Sequence, residues 1–347
     1  MFADMMDIRS LLRWRSTCSV NYIHGTASLR RTLMTRLQPF IPSPLHFVDI
    51  VTQHGAVIGG ELALSFFLRH EDYRPSCLEI YASNFQYNDL CTAILDEPDI
   101  KQCVEKHVFL TSSVYHAMTR LVAETLIIHM KNGRTLYVYQ SYTCSSSAPV
   151  TRSTCTALSN FVTGHSFGCS HPVLTLAGRG LLADRELMFL SARDNLSIDN
   201  LLAHGFSLAV SPTAWPEYRR DIDDDTLRSA EECWREKFVC PSQGRFFGDK
   251  GSLVGFFDPL SADEDKCVAN NLAPFGPMVI WRSMSTFDCD DGCDFLDDVL
   301  EQGVTSIPVL FRKDPFGELR DDIADRRMYN RAVTVQRRFT RARTWSF

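Results

Sequence analysis

The chain has 347 residues, of which 45% are hydrophobic and 22% charged, and its formal net charge is −6. Such a length and balance suit one large globular domain or two to three small ones, with a core that needs no disulfide staples. The acidic balance excludes a protein dominated by nucleic-acid phosphate contacts but leaves room for a local basic patch.

Residues 2–38 read as two helices. Met5, Ile8, Leu11, Leu12 and Trp14 form one rough helical stripe, and Leu29, Leu33 and Leu37 a second; Arg30, Arg31 and Arg36 lie on the other side. Pro39, Pro42 and Pro44 end the helical signal. From 46 to 220 helices and strands alternate. Ala56-Val57-Ile58 predicts a short buried strand, 62–68 a buried helix, 78–81 a strand, and 87–95 an amphipathic helix stopped by Asp96-Glu97-Pro98-Asp99. The β-rich runs TLIIHM (125–130) and TLYVYQ (135–140) flank Asn132-Gly133, a strong hairpin signal. CTALSNFV (155–162) predicts a helix, and 174–182 carries Gly178 and Gly180 near its end. Beyond 220 the pattern loosens into an acidic run (221–225), a helix over 227–238 and Gly-, Pro- and Phe-rich loops. A basic tail over 326–343 holds seven arginines interleaved with aromatics. The expected organisation is a helical segment (1–45), a core (46–220) and a mixed C-terminal region (221–347).

Residues 54–82, HGAVIGGELALSFFLRHEDYRPSCLEIYA, place a Gly-Gly turn before a helix and a short strand after it. This layout resembles the opening of the nucleotidyltransferase fold. In that family the strand carries an acid, a spacer and a second acid, and a later strand carries a third. Together they hold two divalent ions that neutralise phosphate charge and activate the attacking oxygen. Here Cys77 and Glu79 take the paired places, and the later strand offers Tyr137 and Tyr139. A thiol is a soft ligand that suits magnesium poorly. The resemblance implies an α+β (or α/β) fold, a nucleotidyltransferase-like mixed sheet with flanking helices. It leaves Glu79 as the residual catalytic candidate and no metal site. Gly59 and Gly60 are either a plain strand-to-helix turn or a place where phosphate approaches a helix N-terminus. Glu61 speaks for the turn, since a carboxylate there stabilises the helix end and repels an anion.

Two further resemblances extend this reading. MMDIRSLLRWRSTCSVNY is similar to the later part of an F-box, without the Leu-Pro-x-Glu start. Residues 5–38 are then either a hairpin capping the core or a segment that binds a protein partner. Asn160-Phe161-Val162-Thr163, Phe167-Gly168-Cys169, Arg179-Gly180-Leu181 and Trp215-Pro216-Glu217-Tyr218 resemble a large uncharacterised group of proteins from mushroom-forming fungi. Members of that group pair a degenerate F-box-like start with a nucleotidyltransferase-like core.

Other constellations fall short of a site. The acids of DCDDGCDFLDD (288–298) miss the glycine and closing glutamate of a calcium loop and fit an acid-rich helix start. His165, Cys169 and His171 lack a fourth zinc ligand, and nothing in the sequence gives Cys169 a base. Twelve cysteines without a C-x-x-C pair predict a reducing compartment, cytoplasmic or nuclear. Acids and arginines come too early for a secretory signal, and no apolar run of about eighteen residues predicts a membrane span. The expected function is therefore a non-catalytic intracellular binding protein on a degenerate nucleotidyltransferase-like core, without cofactor and with no membrane contact. Nucleic acid would be met only through the tail 326–343. Two alternatives stay open: a transferase using magnesium and nucleotide with unorthodox metal ligands, and an F-box-type adaptor of a ubiquitin ligase.

Overall fold

The computed structural model describes residues 2–69, 73–112, 120–182, 191–218, 237–241, 243–258, 279 and 281. The acidic run at 221–225, all but the end of the expected helix over 227–238, the acidic cluster 288–298 and the basic tail lie outside the described residues.

Asp7 opens the first helix, α1 (Ile8–Arg15), by accepting a hydrogen bond from the Ser10 backbone N–H at 2.9 Å. Helix α2 (Ser19–Leu37) buries Gly25, Leu29, Leu33 and Leu37, a stripe at four-residue spacing. Both helices bury side chains in the same core as the central sheet. Ile8 and Leu11 enter that core fully, whereas Leu12 and Trp14 are only half-buried against it. Arg15 is buried too. Its two terminal nitrogens donate to the carbonyl oxygens of Phe256 and Phe257, each at 2.6 Å, near the far end of the described chain.

Pro44 starts α3 (Pro44–Gln53) at a position where its missing N–H costs nothing. Strand β1 (Val57–Gly59) leads directly into α4 (Gly60–Phe67), all eight residues of which are buried. Strand β2 (Cys77–Ala82), α5 (Tyr87–Asp96) and α6 (Pro98–Cys103) follow. Strands β3 (Val104–Thr111), β4 (Val122–Met130) and β5 (Thr135–Ser141) form an antiparallel meander, with Asn132-Gly133 at the β4–β5 turn as expected. Next come β6 (Asn160–Val162), β7 (Ser166–Cys169), α7 (Pro172–Thr175), β8 (Arg179–Leu181), α8 (Ala192–Ala203), β9 (Ser207–Ala209) and β10 (Leu253–Phe256).

Eight strands make one sheet in the order β10-β7-β6-β1-β2-β5-β4-β3, and β8 and β9 form a separate parallel pair. Every neighbouring pair in the large sheet is antiparallel except β2 with β5. The class is α+β. On one face of the central strands Leu78, Ile80, Leu126, Ile128, Leu136 and Val138 are fully buried among residues of the helices. The period of two puts Cys77, Glu79, Tyr81, Tyr137 and Tyr139 on the other face.

The expected helix over 155–162 is absent. Residues Thr156–Leu158 make one 3-10 turn, and Asn160–Val162 pair with β1 and β7 as strand. The Asn160 side chain donates to the Ala157 carbonyl oxygen at 2.6 Å, taking an acceptor that a helix would have used. Likewise 174–182 splits, its helical part ending at Thr175 and its glycine-containing part pairing with β9. None of the described helices is long and apolar enough to cross a membrane.

Leu11 and Leu12 differ in burial on one short helix, and their truncations should differ accordingly. Leu11→Ala is expected to destabilise the chain by about 2–5 kcal/mol in urea unfolding, and Leu12→Ala by clearly less. Equal losses would contradict the packing described.

Candidate functional site

The polar face of β2 and β5 meets the start of α4 and one side of α8 in a buried cluster. Glu61, in the first turn of α4, is fully buried. Its Oε1 accepts from Ser76 Oγ at 3.0 Å, Ser197 Oγ at 2.9 Å and Arg193 Nη1 at 3.1 Å. Its Oε2 accepts from the Ser76 backbone N–H and from Asn200 Nδ2, both at 2.7 Å. Arg193, Ser197 and Asn200 lie four and then three residues apart, so one face of α8 presents all three. Helix α8 is itself fixed by a capping box between Ser191 and Asp194.

Arg193 joins the second carboxylate to the first. Its Nη2 lies 3.4 Å from Glu79 Oε1, a charge contact without hydrogen-bond geometry, and its guanidinium sits 5.7 Å from the centre of the Tyr137 ring. Glu79 also receives a long contact from Tyr139 Oη at 3.4 Å. The rings of Tyr81 and Tyr139 stack, as do those of Tyr137 and Tyr139, which walls the site with aromatic surface. Beside the cluster Arg120 pairs with Asp194 at 3.0 Å.

Burial pushes the Glu79 carboxyl above its ordinary range. Arg193 opposes that shift, while Glu61 and Asp194 add to it. Burial prevails because Arg193 gives its hydrogen bond to Glu61 and only the longer contact to Glu79. Arg193 is held protonated: burial works against its charge, but Glu79, Cys77 and Glu61 outweigh it. Burial, with the Glu79 charge next to it, raises the Cys77 thiol far above the usual thiol range.

The structure thus brings together Gly59, Gly60, Cys77, Glu79, Tyr137 and Tyr139. The backbone of Gly60 is left-handed, with φ +58°, and a Cβ there would overlap Glu79 Oε2. A Cβ on Gly59 would come within 2.6 Å of the Tyr81 ring. The space beside both glycines is therefore filled by side chains of this chain. Glu61, expected to serve its helix end, instead spends its carboxylate on Ser76 and α8. A pair of divalent ions does not fit these residues. One carboxylate is saturated by five donors, the other faces a guanidinium, and the third donor is a protonated thiol. Among the described residues no group of three or more His, Cys, Asp and Glu side chains is placed to hold a metal ion.

His165, Cys169 and His171 do not converge on a site. His165 is exposed, whereas Cys169 and His171 are buried. His171 Nδ1 lies 2.9 Å from Ser170 Oγ, and burial lifts the Cys169 thiol to about 12. Sequence reasoning missed Arg193, Ser197 and Asn200. Their polar spacing on a helix was visible, but their partner Glu61 lies 132 to 139 residues earlier. Comparison of the chain with protein-family models, with curated proteins and with solved structures finds no match.

Two expected outcomes test this geometry. The raised Glu79 carboxyl keeps a proton in the folded state that the unfolded chain releases above its ordinary value of 4.5. Stability must then fall as pH rises from about 4.5 through the folded value. Glu79→Gln removes that titration, so its unfolding free energy should decline less over this window in denaturant titrations at several pH values. Gly60→Ala should destabilise by more than the roughly 1–3 kcal/mol of backbone strain alone. The excess should vanish in the Glu79→Ala background, and a double-mutant cycle with no coupling would show that Glu79 does not occupy that space.

Proposed function

We propose that this chain is a non-catalytic binding protein built on a nucleotidyltransferase-like core, in which an internal arginine takes the place of catalytic metal. The observation that carries this reading is the guanidinium of Arg193 set between Glu61 and Glu79. Three features support the likeness to that core. Strand β1 runs through Gly59-Gly60 into α4; β2 returns antiparallel with Glu79 beside Gly60; and β5 lies parallel next to β2. The places where that family needs acids hold Cys77 and, on β5, Tyr137 and Tyr139. A fixed monovalent cation neutralises carboxylates as a metal would. It offers no exchangeable coordination position and cannot activate a bound water. Arg193 therefore keeps the architecture of the site while removing its chemistry.

A second reading, in which residues 5–38 dock a protein partner, rests on Val20 and Ile23. These are 58% and 65% exposed near the start of α2, while the Leu29–Leu33–Leu37 stripe faces inward. A stable complex of purified chain with the cullin-ligase adaptor, lost on Ile23→Asp, would favour it.

The main reading is tested by thermal denaturation with millimolar magnesium and each nucleoside triphosphate. A ligand present at a hundred times its Kd adds about 2.7 kcal/mol of stability. No shift of that size is expected for the wild-type chain. A magnesium-dependent shift that Glu79→Gln abolishes would establish the catalytic alternative instead.

A further inference from the structure

An open cleft of about 700 Å3 lies where α1, the start of α7, the Tyr218 and Lys237 turns and β10 meet. Arg9 and Arg13 reach it from α1, Lys237 and Lys250 from the C-terminal loops, and its walls include Tyr218 and Phe238. No carboxylate side chain is among the described residues that line it. Arg9 and Arg13 are four residues apart, about 6 Å along the helix axis, and repel each other on one face. Other arginines in the described chain are tied down: Arg31 to Asp4, Arg30 to Asp258, Arg134 to the Pro75 carbonyl oxygen and Arg245 to Asp249. Arg9 and Arg13 are exposed, and their guanidinium groups form no hydrogen bond or ion pair with any described residue.

The wall opposite these cations is built rather than loose. Phe238 has φ +54°, a left-handed backbone that a bulky residue rarely adopts. Its side chain occupies the space a Cβ on Gly251 would need, and its carbonyl oxygen accepts from Arg245 Nη1 at 2.8 Å. Arg245 is buried and pairs with buried Asp249 at 2.5 Å. An internal ion pair thus holds an aromatic ring in a strained pose at the edge of a cationic cleft.

We propose that this cleft binds a soluble small molecule carrying two or more phosphate groups, with an apolar or aromatic part against Tyr218 and Phe238. Guanidinium groups match phosphate oxygens in a bidentate fork, and a cleft lined by one sign of charge concentrates anions. The volume lies within the roughly 300–1,000 Å3 typical of small-molecule sites. This inference is independent of the proposed function, since it uses none of the residues around Glu79.

Isothermal titration of the full chain with inorganic tripolyphosphate at about 0.15 M salt is the direct test. A parallel arm uses sedimentation with phosphatidylcholine vesicles, with and without a phosphoinositide bisphosphate. Tripolyphosphate should bind, and the double variant Arg9→Glu/Arg13→Glu should weaken it by at least about tenfold. Both arginines are exposed, so the variant should keep the wild-type Tm; Lys237→Gln gives a second, milder probe of the same cleft. Lys106→Glu, on β3 at the other end of the sheet from β10, should leave binding unchanged. Vesicle binding through Arg9 and Arg13 without tripolyphosphate binding would overturn the soluble ligand and assign the cleft to a lipid headgroup. Absence of both, or equal weakening by Lys106→Glu, would overturn the site itself.

Discussion

The buried carboxylate of Glu61 is the constraint on which the centre of this molecule depends. A charge taken fully out of water is tolerated only when every lone pair is answered, and here five donors from two segments converge on it. Removing one partner of such a pair generally costs about 3–5 kcal/mol, because the other is left buried and uncompensated. To be answered in this way, α8 must lie against α4 with Arg193, Ser197 and Asn200 facing in. That placement in turn carries the guanidinium to Glu79 and the Tyr137 ring. The positions of α4, β2 and α8 are thus one joint solution.

The same cluster explains why the polar face of β2 and β5 differs from the face behind it. The rear face is aliphatic and carries the helices. The front face carries a carboxylate, a thiol and three tyrosines, and meets there the Glu61 carboxylate of α4 and the Arg193 guanidinium of α8. Such a face is rigid, because each member limits the rotamers of the next. Tyr81 stacks on Tyr139 and fills the space beside Gly59, while Glu79 fills the space beside Gly60. A guanidinium set between two carboxylates in such a face depends on steric fit with the rings and glycines around it.

Much of the frame was legible in the sequence where the signal is local. Asn132-Gly133 between two β-rich runs marked the β4–β5 hairpin, the nearly apolar run 62–68 marked most of α4, and 78–81 marked the middle of β2. The resemblance implied α+β or α/β, and the largely antiparallel sheet makes the class α+β. What failed had a cause beyond the local segment. Residues 155–162 are apolar enough for a helix, but their strand is dictated by β1 and β7, and Asn160 withdraws the carbonyl a helix would have needed. The candidate site was half legible. Glu79, the glycines and the β5 tyrosines stood out through the family resemblance, and the structure supplied the register that sets them side by side. Arg193 did not, since an arginine on an amphipathic helix usually faces water, and only the fold sets it against an acid 132 residues away.

Arg15 gives the chain a temporal order. Its two hydrogen-bond acceptors, the carbonyl oxygens of Phe256 and Phe257, come 241 and 242 residues later. At ribosomal rates of about 5–20 residues per second, the guanidinium of the first helix waits on the order of tens of seconds for its partners to be synthesised. The helices around it can form in microseconds. The α1–α2 hairpin of a nascent chain therefore has only the Tyr22 ring, 4.1 Å from the guanidinium, to set against this cation until β10 has been made and the two carbonyl oxygens can reach it.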